Sequence, residues 1–252
     1  MAYWELLSRV SAYHMKHDTR YLERMTLDEL QKTIGITFKD QRLLELAFVH
    51  RSHLNESRDF AKSNERLEFL GDAVLSFVTS EYLYTTYPDF PEGTLTNIRS
   101  TLVKTKSLAT VARDLALGEL LRLSKGEESS GGRVNESLLA DCFEALLGAL
   151  YLDQGMDAVR HFLVTHLLYK SESIVKEKSY VDFKSLLQEL TQEKTKISPT
   201  YRVMKSEGPD HNKTFWVDVV INDTILGDGQ GKSKQEAEQK AAQNALEKRV
   251  TF

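Results

Sequence analysis

Asn64-Glu65-Arg66-Leu67-Glu68-Phe69-Leu70-Gly71-Asp72-Ala73-Val74-Leu75 is the stretch on which the fold turns. Leu67, Leu70, Val74 and Leu75 recur at helical spacing, so the segment forms a helix with an apolar side that docks on a core. Glu65, Glu68 and Asp72 stand at i, i+3 and i+7 and project together from another side. Farther along, Leu138-Leu139-Ala140-Asp141-Cys142-Phe143-Glu144-Ala145-Leu146-Leu147-Gly148-Ala149-Leu150 is too apolar for a surface helix, yet it carries Asp141 and Glu144 at i and i+3. Acids in such a run either point into a shared polar site or bear a heavy desolvation cost. Carboxylates about 5 Å apart repel by roughly 3 kcal/mol per pair at an effective dielectric near 20. A hard divalent cation removes that repulsion, and oxygen-only donors select Mg²⁺, with Mn²⁺ as a substitute, over zinc. The competing reading is a solvated acidic helix face paired with Arg66 or Lys62, and the apolar second helix argues against it.

Around these two helices the pattern stays helical from Thr26 to about Leu168, with Leu43, Leu44, Ala47 and Phe48 again at helical spacing. Turn chemistry punctuates it at Pro88, Pro91-Glu92-Gly93, Gly126 and Gly131-Gly132. The polar run 170–179 reads as a linker. Beyond it the periodicity changes. Phe183, Leu186, Leu187 and Leu190 mark a short amphipathic helix, Tyr201 and Val203 a first strand, and Phe215, Val217, Val219 and Ile221 an alternating second strand. Asn222-Asp223 is a turn into a third strand at 224–226. Ser233 with Glu236 three residues on forms a capping box, opening a helix whose Ala237, Ala241 and Ala245 line a close-packing face. The expected architecture is an all-α domain followed by a small α+β unit of order α-β-β-β-α, with its helices on one face of an antiparallel sheet.

Composition sets the outer limits. The chain has 252 residues, 41% hydrophobic and 28% charged, the profile of a soluble, cored protein with no run long enough to span a membrane. Residues 1–20 lack the apolar core and cleavage site of a secretory signal. A single cysteine, Cys142, excludes an internal disulfide framework and a cysteine-based zinc cage, and makes a reducing cytoplasm the simplest home. Of 33 basic and 37 acidic residues, 11 of each fall between 180 and 252, so the acidic excess lies wholly in the preceding part. Binding of a polyanion therefore needs local basic patches, and nonspecific coating of nucleic acid is disfavoured.

Residues 64–72 resemble the signature of the ribonuclease III family without a mismatch. Val49-His50-Arg51-Ser52 with Asn55-Glu56 resembles its first block, Val49 standing where threonine is usual. Pro88, Glu92-Gly93, Leu95-Thr96 and Arg99-Ser100 match the segment after the signature helix, and Ser137–Asp141 with Glu144–Gly148 match the second acidic helix. The likeness runs from about Leu27 to Leu246. It implies an endonuclease domain in which Glu68, Asp72, Asp141 and Glu144 hold the metal ions, Asp72 and Glu144 being catalytic and Glu144 the acid most directly tied to hydrolysis. Glu65 would lie beside the cluster, and Phe69 would pack across a homodimer interface formed by paired signature helices; the alternative for Phe69 is an intrachain core aromatic. All five acids are present.

The C-terminal part resembles a double-stranded-RNA-binding domain through Asp182–Glu189, Gly208-Pro209-Asp210-His211 and Gly229–Ala242. By that resemblance Gln188, Glu189, Pro209 and His211 reach minor grooves. Lys232, Ser233 and Lys234 meet phosphates at the start of the last helix, where free N–H groups and the helix dipole favour anions. Many such domains carry a Lys-Lys-x-Ala-Lys run; here Lys234 is followed by Gln235-Glu236-Ala237-Glu238, which predicts modest, salt-sensitive affinity, with Lys240 recovering some phosphate contact.

The expected organisation is an extension at 1–26, a catalytic domain at 27–170, a linker at 171–181 and an RNA-binding domain at 182–249. The expected function is Mg²⁺-dependent hydrolysis of double-stranded RNA to 5′-phosphate and 3′-hydroxyl ends, with ribosomal RNA precursors and structured messenger RNAs as the family's usual targets. No membrane partner and no organic cofactor are expected. The alternative is a non-catalytic duplex-RNA-binding dimer, which would keep the C-terminal motifs while losing one or more acids.

Overall fold

The computed structural model describes residues 25–209 and 212–248. The chain divides into two compact units, with the boundary between Ser171 and Glu172.

The first unit is built from helices: α1 (Leu27–Ile34), α2 (Gln41–Ala47), α3 (Glu65–Thr86), α4 (Glu92–Val103), α5 (Thr105–Asp114), two short turns α6 (Leu117–Leu120) and α7 (Lys125–Ser129), α8 (Glu136–Gln154) and α9 (Met156–His166). A further short helix, α10 (Ser171–Lys176), begins at the unit boundary. Gly126, read from sequence as a turn, lies inside α7, because the Ser124 hydroxyl accepts the Glu127 N–H and caps a helical turn there.

The apolar acid-bearing run forms α8, the central helix. Ten of its residues are buried, among them Leu139, Phe143, Leu146 and Leu147, and α2, α3, α5 and α9 pack around it. Its start is fixed by Asn135, whose side-chain oxygen accepts the N–H groups of Ser137 and Leu138 at 2.9 and 3.3 Å. The entry to α3 is tied down by buried Asn64. Its amide donates to the Ala47 carbonyl at 3.1 Å, and its N–H to Val49 at 2.8 Å. Val49 forms an isolated parallel bridge with Arg122, the one extended pairing described in this unit.

The second unit runs α11 (Phe183–Thr195), β1 (Thr200–Glu207), β2 (Thr214–Ile221), β3 (Thr224–Gly231) and α12 (Lys234–Glu247), with the strands antiparallel in the order β1-β2-β3. Asn222 and Asp223 turn the hairpin with φ of 46° and 65°, the left-handed pair that two-residue hairpins demand. Leu187, Val219, Ile221, Leu226, Ala241, Ala242 and Ala245 form the core. Ala237, Ala241 and Ala245 do line the packing face of α12, and their complement is Gly227, Gly229 and Gly231 of β3. A Cβ at Gly229 would sit 2.3 Å from the backbone of both Ala237 and Ala241, so small residues on both sides let helix and sheet meet backbone to backbone.

Two sequence expectations are corrected here. Leu186 is 47% exposed, because only Leu187 faces the core squarely at this point of α11. The capping box at α12 is split. The Ser233 hydroxyl accepts the Glu236 N–H at 3.1 Å as expected, but the Glu236 carboxylate takes the Lys232 N–H at 2.8 Å, one residue upstream of the cap.

Candidate metal centre and nucleic-acid interface

Helices α3 and α8 cross at glycines. A Cβ on Gly71 would lie 1.8 Å from the Glu144 carbonyl oxygen, and one on Gly148 would lie 2.1 Å from that of Leu67. Only hydrogen at both positions permits such an approach, and it lays the acid-bearing turns of the two helices side by side. Glu68, Asp141 and Glu144 consequently each offer a carboxylate oxygen within 4.8 Å of the others, all three partly buried. Asp72 is exposed and stands outside that set, yet its charge acts on both Glu144 and Glu68.

The electrostatics follow from the crowding. Burial, then the charges of Asp72, Asp141 and Glu68, push the Glu144 carboxyl up to about 7. Burial and the neighbouring acids likewise raise Glu68. Burial raises Asp141, and His50 partly offsets it. Among the described residues none of Glu68, Asp72, Asp141 or Glu144 forms an ion pair, so a solvated face paired with Arg66 or Lys62 does not describe this cluster. The set holds no thiolate or imidazole. Three crowded carboxylates that favour protonation suit a hard divalent cation.

His50 is a neighbour to which the sequence reading gave no role. Its Nδ1 lies 2.8 Å from the Ser52 hydroxyl and accepts the Ser52 N–H, while that hydroxyl accepts the Ser124 N–H at 2.9 Å, so the ring is held in place. Its place in the block Val49–Ser52, ahead of the signature, was the available signal. Glu65 is exposed, accepts the Ser63 hydroxyl at 2.7 Å, and lies 3.8 Å from Arg51. Phe69 is 81% exposed, which excludes the intrachain core alternative.

In the second unit Gln188 and Glu189 are exposed on α11, and Pro209 is exposed in the loop before β2. His211 lies outside the described residues. Lys232, Ser233 and Lys234 are exposed at the start of α12, with the Lys232 ammonium on the side chains of Asn212 and Thr214 at 2.9 and 3.3 Å.

The cluster yields a test by pH. In metal-free protein the folded Glu144 carboxyl titrates near 7 against an ordinary 4.5. Between those values the unfolded chain has lost a proton that the folded chain keeps, so this group's contribution to stability falls as pH rises and is lowest above 7. His166, half-buried beside His161 and lowered to about 4, acts oppositely between about 4 and 6.5. The comparison of wild type with Glu144→Gln isolates the first effect. In EDTA the variant's advantage in melting temperature is expected to grow by about 3 °C from pH 5 to pH 8, and millimolar Mg²⁺ to close it. A gap independent of pH would contradict the crowding described here.

A helical unit with a shared carboxylate pocket, followed by an α-β-β-β-α unit with a basic helix start, defines a carboxylate-centred nuclease that carries its own duplex-RNA-binding module. Comparison with known proteins agrees. Residues 40–171 match the family model "Ribonuclease-III-like", and residues 183–249 match "Double-stranded RNA binding motif". Curated relatives named Ribonuclease 3 include one from Geobacillus thermodenitrificans, 50% identical over 89% of this chain and 91% of its own length, and one from Treponema denticola, 46% identical over the same shares. The nuclease domain of the Campylobacter jejuni ribonuclease III, solved in a study of flexibility in a region involved in dimer formation, aligns with TM-score 0.53 at 36% identity. That alignment covers 58% of this chain and 98% of the other.

The chain belongs to the ribonuclease III family, the hydrolases that cleave double-stranded RNA internally. The non-catalytic alternative required a missing acid, and none is missing. No helix among the described residues is long and apolar enough to cross a membrane.

Proposed function

We propose that this protein hydrolyses both strands of duplex RNA as a cytoplasmic homodimer, using Mg²⁺ held by Glu68, Asp141 and Glu144 with Asp72 beside them. Residues 27–170 form the catalytic domain, 171–181 the linker and 182–249 the RNA-binding domain in this reading. The carrying observation is the meeting of carboxylates from two helices within 4.8 Å. A bound magnesium ion supplies charge neutralisation and Lewis acidity at a phosphodiester. The chain's own residues do the rest. Glu68, Asp141 and Glu144 present carboxylate oxygens from a partly buried pocket, and before an ion binds, the Glu144 carboxyl, held near neutrality, is the group with a proton to give up. His50, pinned by Ser52, supports Asp141 in its charged form.

Dimerisation is supported by α3. Phe69, Phe77 and Tyr84, spaced by about two helical turns, are 81%, 55% and 76% exposed, and the Campylobacter domain's dimer-forming region is the parallel. Gln188, Glu189, Pro209 and His211 contact the minor groove of the duplex, and Lys232, Ser233 and Lys234 its phosphates. The single cysteine, Cys142, is buried and fits a reducing compartment. Ribosomal RNA precursors and structured messenger RNAs are the substrates this reading assigns.

The test uses end-labelled, fully paired RNA. Purified protein is expected to cut it with Mg²⁺ or Mn²⁺, not in EDTA, and to leave 5′-phosphate and 3′-hydroxyl ends. Cleavage that survives chelation, or 2′,3′-cyclic phosphate ends, would overturn the metal-assisted hydrolysis proposed here.

A further inference from the structure

In the second unit five cations are engaged by carboxylates among the described residues. Lys184 pairs with Glu238, Arg202 with Asp223, Lys205 with Glu207, Lys248 with Asp228 and Lys240 with Glu236. The last pair sits where a phosphate has to arrive. Glu236 lies in the first turn of α12, three residues after the Ser233 cap. One of its carboxylate oxygens accepts the Lys232 N–H at 2.8 Å, and the other holds the Lys240 ammonium at 2.6 Å. Both bonds keep the carboxyl below its ordinary range, so the charge persists at neutral pH. The Lys232 N–H is thereby satisfied within the protein, while the hydroxyl and the carbonyl of Ser233 accept the N–H groups of Glu236 and Ala237. Among the described residues this leaves Ser233, Lys234 and Gln235 as the backbone donors at that end.

A helix start attracts anions through its free N–H groups and its dipole. Here a fixed negative charge occupies that end, satisfies one donor and neutralises a lysine one turn along. We propose that Glu236 is a built-in brake on duplex binding, an affinity-setting residue that lowers the module's grip on RNA phosphates by withholding Lys240 and by opposing the approach of the backbone. The inference rests on the reading above that the start of α12 meets phosphates. Its consequence is a module that releases duplex readily. This accounts physically for the modest affinity expected from the missing basic run.

The experiment is binding of the full-length protein, in EDTA to prevent cleavage, to a blunt RNA duplex of about 20 base pairs across a salt series. Glu236→Gln keeps a side-chain oxygen for the Lys232 N–H but removes the charge. It is expected to tighten binding by roughly fivefold at physiological salt and to steepen the log–log salt dependence by about 0.9 as Lys240 becomes available. In a Lys240→Gln background Glu236→Gln is still expected to tighten binding, because the opposing charge is gone, but with no steeper slope. Glu236→Asp keeps the charge and is expected to stay within twofold of wild type, which separates charge from cap geometry should the glutamine variant disturb the helix end. Tightening by the aspartate as well, or unchanged or weaker binding by Glu236→Gln in both backgrounds while Lys234→Gln weakens binding, would overturn the brake. If Lys234→Gln leaves binding unchanged, it is the phosphate-contact reading of α12 that falls, and the brake falls with it.

Discussion

Alanine at Gly71 is expected to reduce cleavage of duplex RNA by about 100-fold or more while also destabilising the fold. The new methyl would lie 1.8 Å from the Glu144 carbonyl oxygen and 2.6 Å from its carbon, in contact with backbone that no rotamer change can clear. The helices must part by an ångström or more. Overpacking of that kind costs about 1–3 kcal/mol, which outweighs the roughly 1 kcal/mol by which alanine favours a helix over glycine. The chemical loss is larger than the structural one. The displaced segment carries Glu144, facing Glu68 three residues before Gly71, and a misplacement of about 1 Å in a reacting constellation can cost about 100-fold in rate. Gly93→Ala is the control, because nothing lies within 4 Å of its added carbon. The check is single-turnover cleavage with melting temperature alongside. A Gly71→Ala variant that cuts and melts as wild type would show that the close crossing does not build the site.

Glu144→Gln separates chemistry from stability. The amide keeps the shape but removes a carboxylate whose charge the site disfavours in the absence of metal. The variant is therefore expected to be as stable as wild type or more so, and to bind duplex RNA within about twofold. Cleavage in Mg²⁺ is expected to fall by roughly a thousandfold, because losing one anionic donor forfeits several kcal/mol of transition-state stabilisation. Gel-shift binding and single-turnover rates on the same duplex give both numbers. Cleavage equal to wild type would remove Glu144 from the reaction.

The elements of this molecule differ in how much of themselves the sequence discloses. Acids at i, i+3 inside Leu138–Leu150 were legible because a carboxylate in an apolar helix has few inexpensive environments. The alternation of Phe215, Val217, Val219 and Ile221 disclosed the strand, since period two marks one apolar face, but not the register shift between Val219 and Val220, where Val220 is buried as well. Gly71 and Gly148 were not legible. A glycine in a helix announces a close approach only once the partner helix is known, and 77 positions separate the two. The glycines of β3 were hidden likewise behind the legible alanine face of α12. Local hydrogen bonding proved harder still. Glu236 stands at the right spacing for a reciprocal cap, yet its second bond goes to Lys232 and its charge to Lys240, a choice among neighbours that spacing does not decide. Asp72 reads from spacing as an equal member of the cluster, whereas its side chain is exposed and acts on Glu144 from beside the three crowded carboxylates.

Crystals of the wild-type protein grown or soaked with Mn²⁺, with anomalous scattering collected near the manganese edge, locate the ion directly. The expected result is a peak about 2–2.5 Å from carboxylate oxygens contributed by both α3 and α8, Glu68 with Asp141 and Glu144. A fully occupied manganese elsewhere, with those three side chains free of it, would contradict the joining of the two helices into one metal-holding pocket.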